Sequence, residues 1–143
     1  MANVFDVAKY ILEKKGAMST MKLQKLCYYA QAWSLVWDDK PLFSEEFEAW
    51  ANGPVCRELF NRTEGKFSVS SEEEIGGEGN LTDNEKATIN HVLEHYGEQN
   101  AQWLSQLTLM ESPWNEARVG IPEGVGCERV ITKESMAIYY SGI

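Results

Sequence analysis

Cysteine is scarce in this sequence, with three in 143 residues. Cys27, Cys56 and Cys127 stand far apart, odd in number and without a C-x-x-C pair, so neither a disulfide framework nor a thiolate zinc site is suggested and the three read as reduced thiols. No run approaches the ~20 consecutive apolar residues of a membrane span. The opening stretch "MANVFDVAKYILEKKG" alternates charge with apolar residues where a secretory leader has an apolar core. The expectation is a cytoplasmic chain without a membrane role, in which the N-x-T patterns at 61–63 and 80–82 carry no sugar. Basic residues are few as well: 13 Lys and Arg face 22 Asp and Glu, for a net charge of −9. Nucleic-acid affinity comes mostly from cations neutralising phosphates, so direct nucleic-acid binding is not expected. The acid excess is local, since residues 1–43 are net +2, residues 44–98 net −9 and the remainder net −2.

Apolar material, by contrast, is plentiful: 43% of the residues are hydrophobic and 11% aromatic, enough to fill one core in a chain of this length. Val4, Phe5, Val7, Ala8, Ile11 and Leu12 recur at helical spacing and Gly16 ends the run. A second helix follows Ser19 or Thr20 and reads "MKLQKLCYYAQAWSLVWDD". Leu23, Leu26, Cys27, Ala30, Trp33 and Trp37 share one broad face, while Tyr28, Ala32, Leu35 and Val36 lie near the other. A helix apolar nearly all round is central or contacts a partner.

Phe43, Phe47 and Trp50 lie in a short turn-bounded segment with extended character. Pro54 suits a first helical position, with Asn52 or Gly53 as entry cap, so a short third helix is expected from there. Residues 63–81 combine Gly, Ser and Glu and read as a flexible acidic loop, within which Glu73 is a position of little weight for stability. Thr82 and Glu85 form a capping-box pattern that opens a helix over 83–96. Further helices are expected over about 99–110, from Pro113, and after Thr132. The fold class expected is mainly α: a compact helical bundle in a single domain spanning 1–143, with room for one short extended or β segment around 42–50.

Two features resemble catalytic apparatus. "HVLEH", His91 to His95, has the H-x-x-E-H order of inverted zinc peptidases. On a helix, however, His91 and His95 fall about 200° and 240° from Ile89, on the side away from the core. A zinc-dependent hydrolase through His91, Glu94 and His95 is therefore the remote alternative, and no cofactor or metal is expected. A Cys–His nucleophile is equally unsupported, because Cys27 and Cys56 sit on apolar helix faces where cysteine behaves as a small hydrophobe. The chain is not expected to be an enzyme.

Four ordered stretches carry the specific signal: "KLQKLCYYAQAWSL" at 22–35, "PLFSEEFEAWANGPV" at 41–55, "LTDNEKATINHVLEHYG" at 81–97 and "LTLMESPWNEAR" at 107–118. Together they resemble the Panacea domain family, which includes phage-associated proteins of the GepA type and SocA-like antitoxins. Its Lys-Leu-x-Lys-Leu-x-Tyr-x-Ala pattern falls on Lys22, Leu23, Lys25, Leu26, Tyr28 and Ala30. Its Phe-x-Ala-Trp-x-x-Gly-Pro-Val pattern falls on Phe47, Ala49, Trp50, Gly53, Pro54 and Val55, and its Pro-Trp pair on Pro113 and Trp114. One position departs: many members carry His after the Leu-Thr pair, where this chain has Leu109.

The resemblance implies a mostly helical domain that acts by protein contact, an antitoxin neutralising a cognate protein toxin by direct binding. The alternative it leaves is a phage-encoded inhibitor, or a proteolytic adaptor presenting a target to a ClpXP-type protease, acting on a host protein. Gln24, Tyr28, Gln31 and Leu35 on the second helix, with Trp50 and Asn52 at the corner, are the expected partner-binding positions. Gly53, Pro54, Pro113 and Trp114 are expected to shape the scaffold.

Overall fold

The computed structural model describes residues 1–72, 75–77 and 79–143. Helix α1, Val4–Lys15, starts on a capping box in which Asn3 and Asp6 exchange side-chain and backbone bonds, both 2.9 Å. Strand β1, Met18–Ser19, leads directly into α2, Thr20–Trp37, with Ser19 accepting from the Lys22 N–H as its cap. A hairpin follows, β2 at Phe47–Trp50 and β3 at Gly53–Cys56, and then α3, Arg57–Arg62, and β4, Ser68–Val69. Thr82 and Glu85 close a capping box at the start of α4, Asp83–Tyr96. Helix α5, Ala101–Met110, and α6, Ser112–Ala117, precede β5, Val130–Ile131, and α7, Lys133–Ser141, which Thr132 caps.

The expectation of a mainly α bundle does not hold. Among the described residues 54% are helical and 10% lie in two small antiparallel sheets, which makes the fold mixed α/β. One sheet pairs β1 with β4, and the other has the order β3-β2-β5. Strands of two to four residues are too short to impose a readable alternation on a sequence. The extended segment expected around 42–50 is the hairpin's first strand.

Asn-Gly-Pro is likewise a strand entry, and α3 begins only at Arg57. Proline is tolerated there because β3 is an edge strand and Pro54 sits opposite Ala49, whose own N–H turns the other way to the Arg129 carbonyl at 2.8 Å. No ladder bond is lost to the missing N–H. Within residues 63–81, Thr63, Val69, Ile75 and Leu81 are buried. Glu73, Glu74 and Glu78 of that stretch lie outside the described residues.

Helix α2 occupies the centre, packed by α1, α4, α5, α7 and β3. Leu23, Leu26, Cys27, Tyr28, Tyr29, Ala30 and Ala32 are all buried along it, so its apolar circumference from Leu23 to Ala32 is covered by this chain's own elements, while Met21 and Trp37 at its two ends are exposed. The turn of the hairpin lies against it. Gly53 takes φ +122°, and a Cβ there would stand 2.9 Å from Lys25 Cε and 2.9 Å from Thr108 Oγ1. Gly120 also has a positive φ, +87°, but a Cβ at that position would have no neighbour within 4 Å. Gly53→Ala therefore meets both backbone strain and crowding and should cost about 1 kcal/mol or more beyond Gly120→Ala, which meets strain alone. Thermal melts of the two variants check this, and equal losses would contradict the close approach.

Candidate functional site

Residues from three distant parts of the sequence meet at the turn of the β2–β3 hairpin. From α2, the Lys25 ammonium donates to the Pro54 carbonyl at 3.2 Å. Its neighbour Gln24 clamps Cys56 in both directions: Nε2 donates to the carbonyl at 3.1 Å and Oε1 accepts the N–H at 2.8 Å. From α6, the Trp114 indole N–H donates to the Trp50 carbonyl at 2.8 Å. From α5, the Ser105 hydroxyl donates to the Asn52 carbonyl, and Thr108 fills the space beside Gly53. Arg118, just beyond α6, is buried among carbonyls. Its guanidinium donates to those of Ala49 at 2.8 Å, Pro122 at 3.1 Å and Val125 at 2.6 Å and lies 5.0 Å from the Trp114 ring centre.

These contacts frame an open cleft of about 700 Å³. Met21 and Lys25 of α2, Trp50, Asn52 and Val55 of the hairpin, and Arg57 at the start of α3 line it together with Gly126–Glu128. Lys25 is fully buried at its base, and burial lowers its ammonium from the ordinary 10.5 to about 8. Arg57 is held at the rim by Glu48, through Nε at 3.2 Å and Nη2 at 2.9 Å, and by Glu128 at 2.7 Å. The guanidinium lies 5.2 Å from the centre of the Trp50 ring, and the Trp50 indole N–H donates to Glu48 at 2.8 Å. Burial alone would raise the Glu48 carboxyl, but the bonds from Arg57 and Trp50 outweigh it and hold the group below its ordinary value.

A second polar cluster lies deeper. The Tyr29 and Tyr140 hydroxyls each donate to Glu111 Oε1 at 2.7 Å, and the Tyr28 and Tyr140 hydroxyls are 3.1 Å apart. Tyr29 also stacks on Tyr96, with ring centres 4.1 Å apart. Burial raises the Glu111 carboxyl although both phenols favour its charged form, and burial pushes all three of these phenols well above their ordinary range. The cluster ties α2, the α5–α6 junction and α7 together.

The expected partner-binding residues divide accordingly. Gln24, Tyr28 and Gln31 are buried, the last two with no exposed surface. Gln31 donates to the Phe43 carbonyl at 2.8 Å and accepts the Leu42 N–H at 2.6 Å. Their assignment to a partner surface is thus corrected: along the buried stretch of α2 from Leu23 to Ala32, these polar side chains bind the chain's own groups. Leu35 is partly buried against the core. Trp50, partly buried, and Asn52, exposed, both line the cleft. Gly53, Pro54, Pro113 and Trp114 are buried.

His91, Glu94 and His95 are exposed on α4, and the described residues hold no group of three or more His, Cys, Asp or Glu placed to bind a metal ion. Sequence reasoning passed over Lys25, Arg57, Glu111 and Arg118 as site residues. Lys25 stands inside the "KLQKL" pattern, and Glu111 and Arg118 inside "LTLMESPWNEAR", and these patterns were the only signal of them.

The class of protein that this arrangement belongs to is given by a family model of antitoxin type, which matches residues 23–115 and so takes in Gln24, Lys25, the hairpin, Ser105, Thr108 and Trp114, with Arg118 just beyond it. The chain belongs to the antitoxin SocA-like, Panacea domain family. Membership implies a toxin partner in general. No curated protein and no solved structure matches the chain significantly. No helix among the described residues is long and apolar enough to cross a membrane.

Two measurements test the buried groups. Between pH 8 and 10 the folded chain passes from about half-protonated to neutral Lys25 while the unfolded chain, with the ordinary value of 10.5, keeps it mostly protonated. The unfolded state then binds more protons, so the Lys25 contribution to stability rises with pH across that window. The stability of the parent chain relative to Lys25→Met should rise by roughly 2 kcal/mol from pH 8 to pH 10. Urea unfolding at each pH measures it, and a constant difference would contradict the desolvated ammonium. Tyr140→Phe removes the hydroxyl that bonds Glu111 and Tyr28 and should cost ~1–3 kcal/mol. Tyr139→Phe, at a hydroxyl without a hydrogen bond among the described residues, should cost under ~0.5 kcal/mol by the same melts.

Proposed function

We propose that this chain is an antitoxin that neutralises a cognate protein toxin by direct binding, and that the cleft at the hairpin corner is the contact surface. The observation that carries the reading is convergence. The residues that carry the resemblance, Lys25, Trp50 with Gly53 and Pro54, and Trp114, lie far apart in sequence and gather at one corner beside an opening whose rim is accessible. A corner held by this many long-range bonds is rigid before a partner arrives, which lowers the ordering cost of association. The chain acts by contact and not by catalysis in this reading: of its strongest catalytic motif, "HVLEH", His91, Glu94 and His95 are exposed on α4 while Val92 and Leu93 are buried, and none of the five lines the cleft.

Co-expression tests the reading. The chain should rescue cells from the toxic product of a neighbouring gene and co-purify with it. Asn52→Arg, at an exposed position, should weaken rescue while leaving the melting temperature within about 2 °C of the parent. A central anchor such as Trp50 should cost ~2 kcal/mol or more in binding when cut to Ala. Direct neutralisation requires that rescue persist in cells lacking the ClpXP-type protease. Loss of rescue there would point to adaptor action, and absence of both rescue and co-purification with any neighbouring product would remove the antitoxin reading.

A further inference from the structure

The cleft departs in charge from the molecule around it. Residues 44–98 are net −9, yet two cations, Lys25 and Arg57, border this one opening. The carboxylates at the site are unevenly shared between them. Glu48 and Glu128 both bond Arg57. The Lys25 ammonium carries three N–H donors, and among the described residues it has one carbonyl acceptor, that of Pro54, and no carboxylate.

The two carboxylates on Arg57 also differ in kind. Glu48 belongs to the hairpin itself: it is 17% exposed and holds both the guanidinium and the Trp50 indole N–H. Glu128 approaches from the segment leading to β5, is 78% exposed, and makes one contact to Nη2. An ion pair that exposed is weak, so exchanging its carboxylate for another is nearly neutral. Arg57 is 40% exposed and lies against the Trp50 ring, which leaves the guanidinium oriented whether or not Glu128 is present.

We propose that Glu128 is an internal stand-in for a carboxylate of the partner, and that the cleft receives an acidic side chain carried on an apolar segment of a protein partner. The carboxylate takes the place of Glu128 on Arg57, above the buried charge of Lys25. The apolar segment lies against Met21, Trp50 and Val55. A basic segment would meet two cations and gain only one exposed carboxylate. The low-dielectric base of the cleft strengthens the attraction of Lys25 for an entering anion, even though the ammonium itself stays beneath the surface. This inference rests on the reading of the chain as a protein that binds its target, and its test does not require the target.

The full chain, labelled with ¹⁵N, is titrated at pH 7 with 3-phenylpropionate and separately with 3-phenylpropan-1-ol, which has the same apolar body without the charge. The acid should shift the Trp50 indole N–H and the Arg57 Nε–H signals saturably at millimolar concentration, at least tenfold more tightly than the alcohol. Glu128→Gln removes the competitor and should tighten the acid by about threefold to tenfold. Lys25→Met should weaken it by about threefold or more. Equal binding of acid and alcohol overturns the proposal, as does an acid affinity that Glu128→Gln leaves unchanged or weakens. Glu128 is exposed, so this arm does not depend on a variant that risks unfolding.

Co-expression separates the two readings. Acid binding as described in a chain that rescues cells from no neighbouring product supports the cleft inference and removes the antitoxin reading. Rescue sensitive to Asn52→Arg, in a chain whose cleft does not prefer the acid, keeps the antitoxin reading and overturns the cleft inference.

Discussion

Enclosure of α2 from Leu23 to Ala32 is the constraint on which the rest depends. A helix packed on all sides cannot send its polar side chains to water, and each one left unpaired would cost a desolvation penalty. Gln24, Lys25, Tyr28, Tyr29, Gln31 and Ser34 therefore each find a partner: the Cys56 backbone, the Pro54 carbonyl, the Tyr140 hydroxyl, Glu111, the 42–43 backbone and the Lys40 carbonyl. These bonds determine where the hairpin, the Lys40–Phe43 segment, the α5–α6 junction and α7 come to rest. No buried side-chain nitrogen or oxygen among the described residues is left without a partner. The tertiary structure is in this sense written by the polar residues of one helix, with the apolar ones supplying the driving force.

The hairpin corner inherits its order from that arrangement. It is tied from below by Lys25 and Gln24, from the side by Trp114 and Ser105, and at its base by Arg118, whose charge is absorbed by three carbonyls. Around it Asn52, Met21 and Glu128 are exposed and Trp50 and Arg57 partly so. This member of the antitoxin SocA-like, Panacea domain family thus has a frame of buried motif residues beside an accessible opening.

Much of the helical content was legible because local signals were unambiguous. The Thr82–Glu85 box, the Thr132 cap and the periodicity of α1 each depend on neighbours a few residues apart. What escaped reading depends on distance. Gly53–Pro54 suits a helix start as well as an edge strand, and only the pairing of Pro54 with Ala49, itself bonded towards Arg129, decides between them. Tyr28 and Gln31 read as surface because polarity ordinarily signals solvent, whereas their partners Tyr140 and Phe43 come from other segments. The buried roles of Lys25 and Glu111 were invisible for the same reason. A cation on a helix and a carboxylate between two helices are ordinary until the elements covering them are known. Trp50 and Asn52 line the cleft although the junction that holds them was read as a helix entry and is a hairpin turn.

The three thiols sit at three depths of this architecture. Cys27 is enclosed at the middle of α2, Cys56 is enclosed at the end of β3 in the clamp of Gln24, and Cys127 is partly accessible beside the cleft. Burial raises the first two well above the ordinary thiol value, which suppresses the reactive thiolate as well as blocking access. Alkylation kinetics would accordingly resolve into separate clocks. Cys127 reports encounter with the native surface, Cys56 the detachment of the hairpin from α2, and Cys27 the dissolution of the core, so the unmodified chain carries its own ladder of opening events.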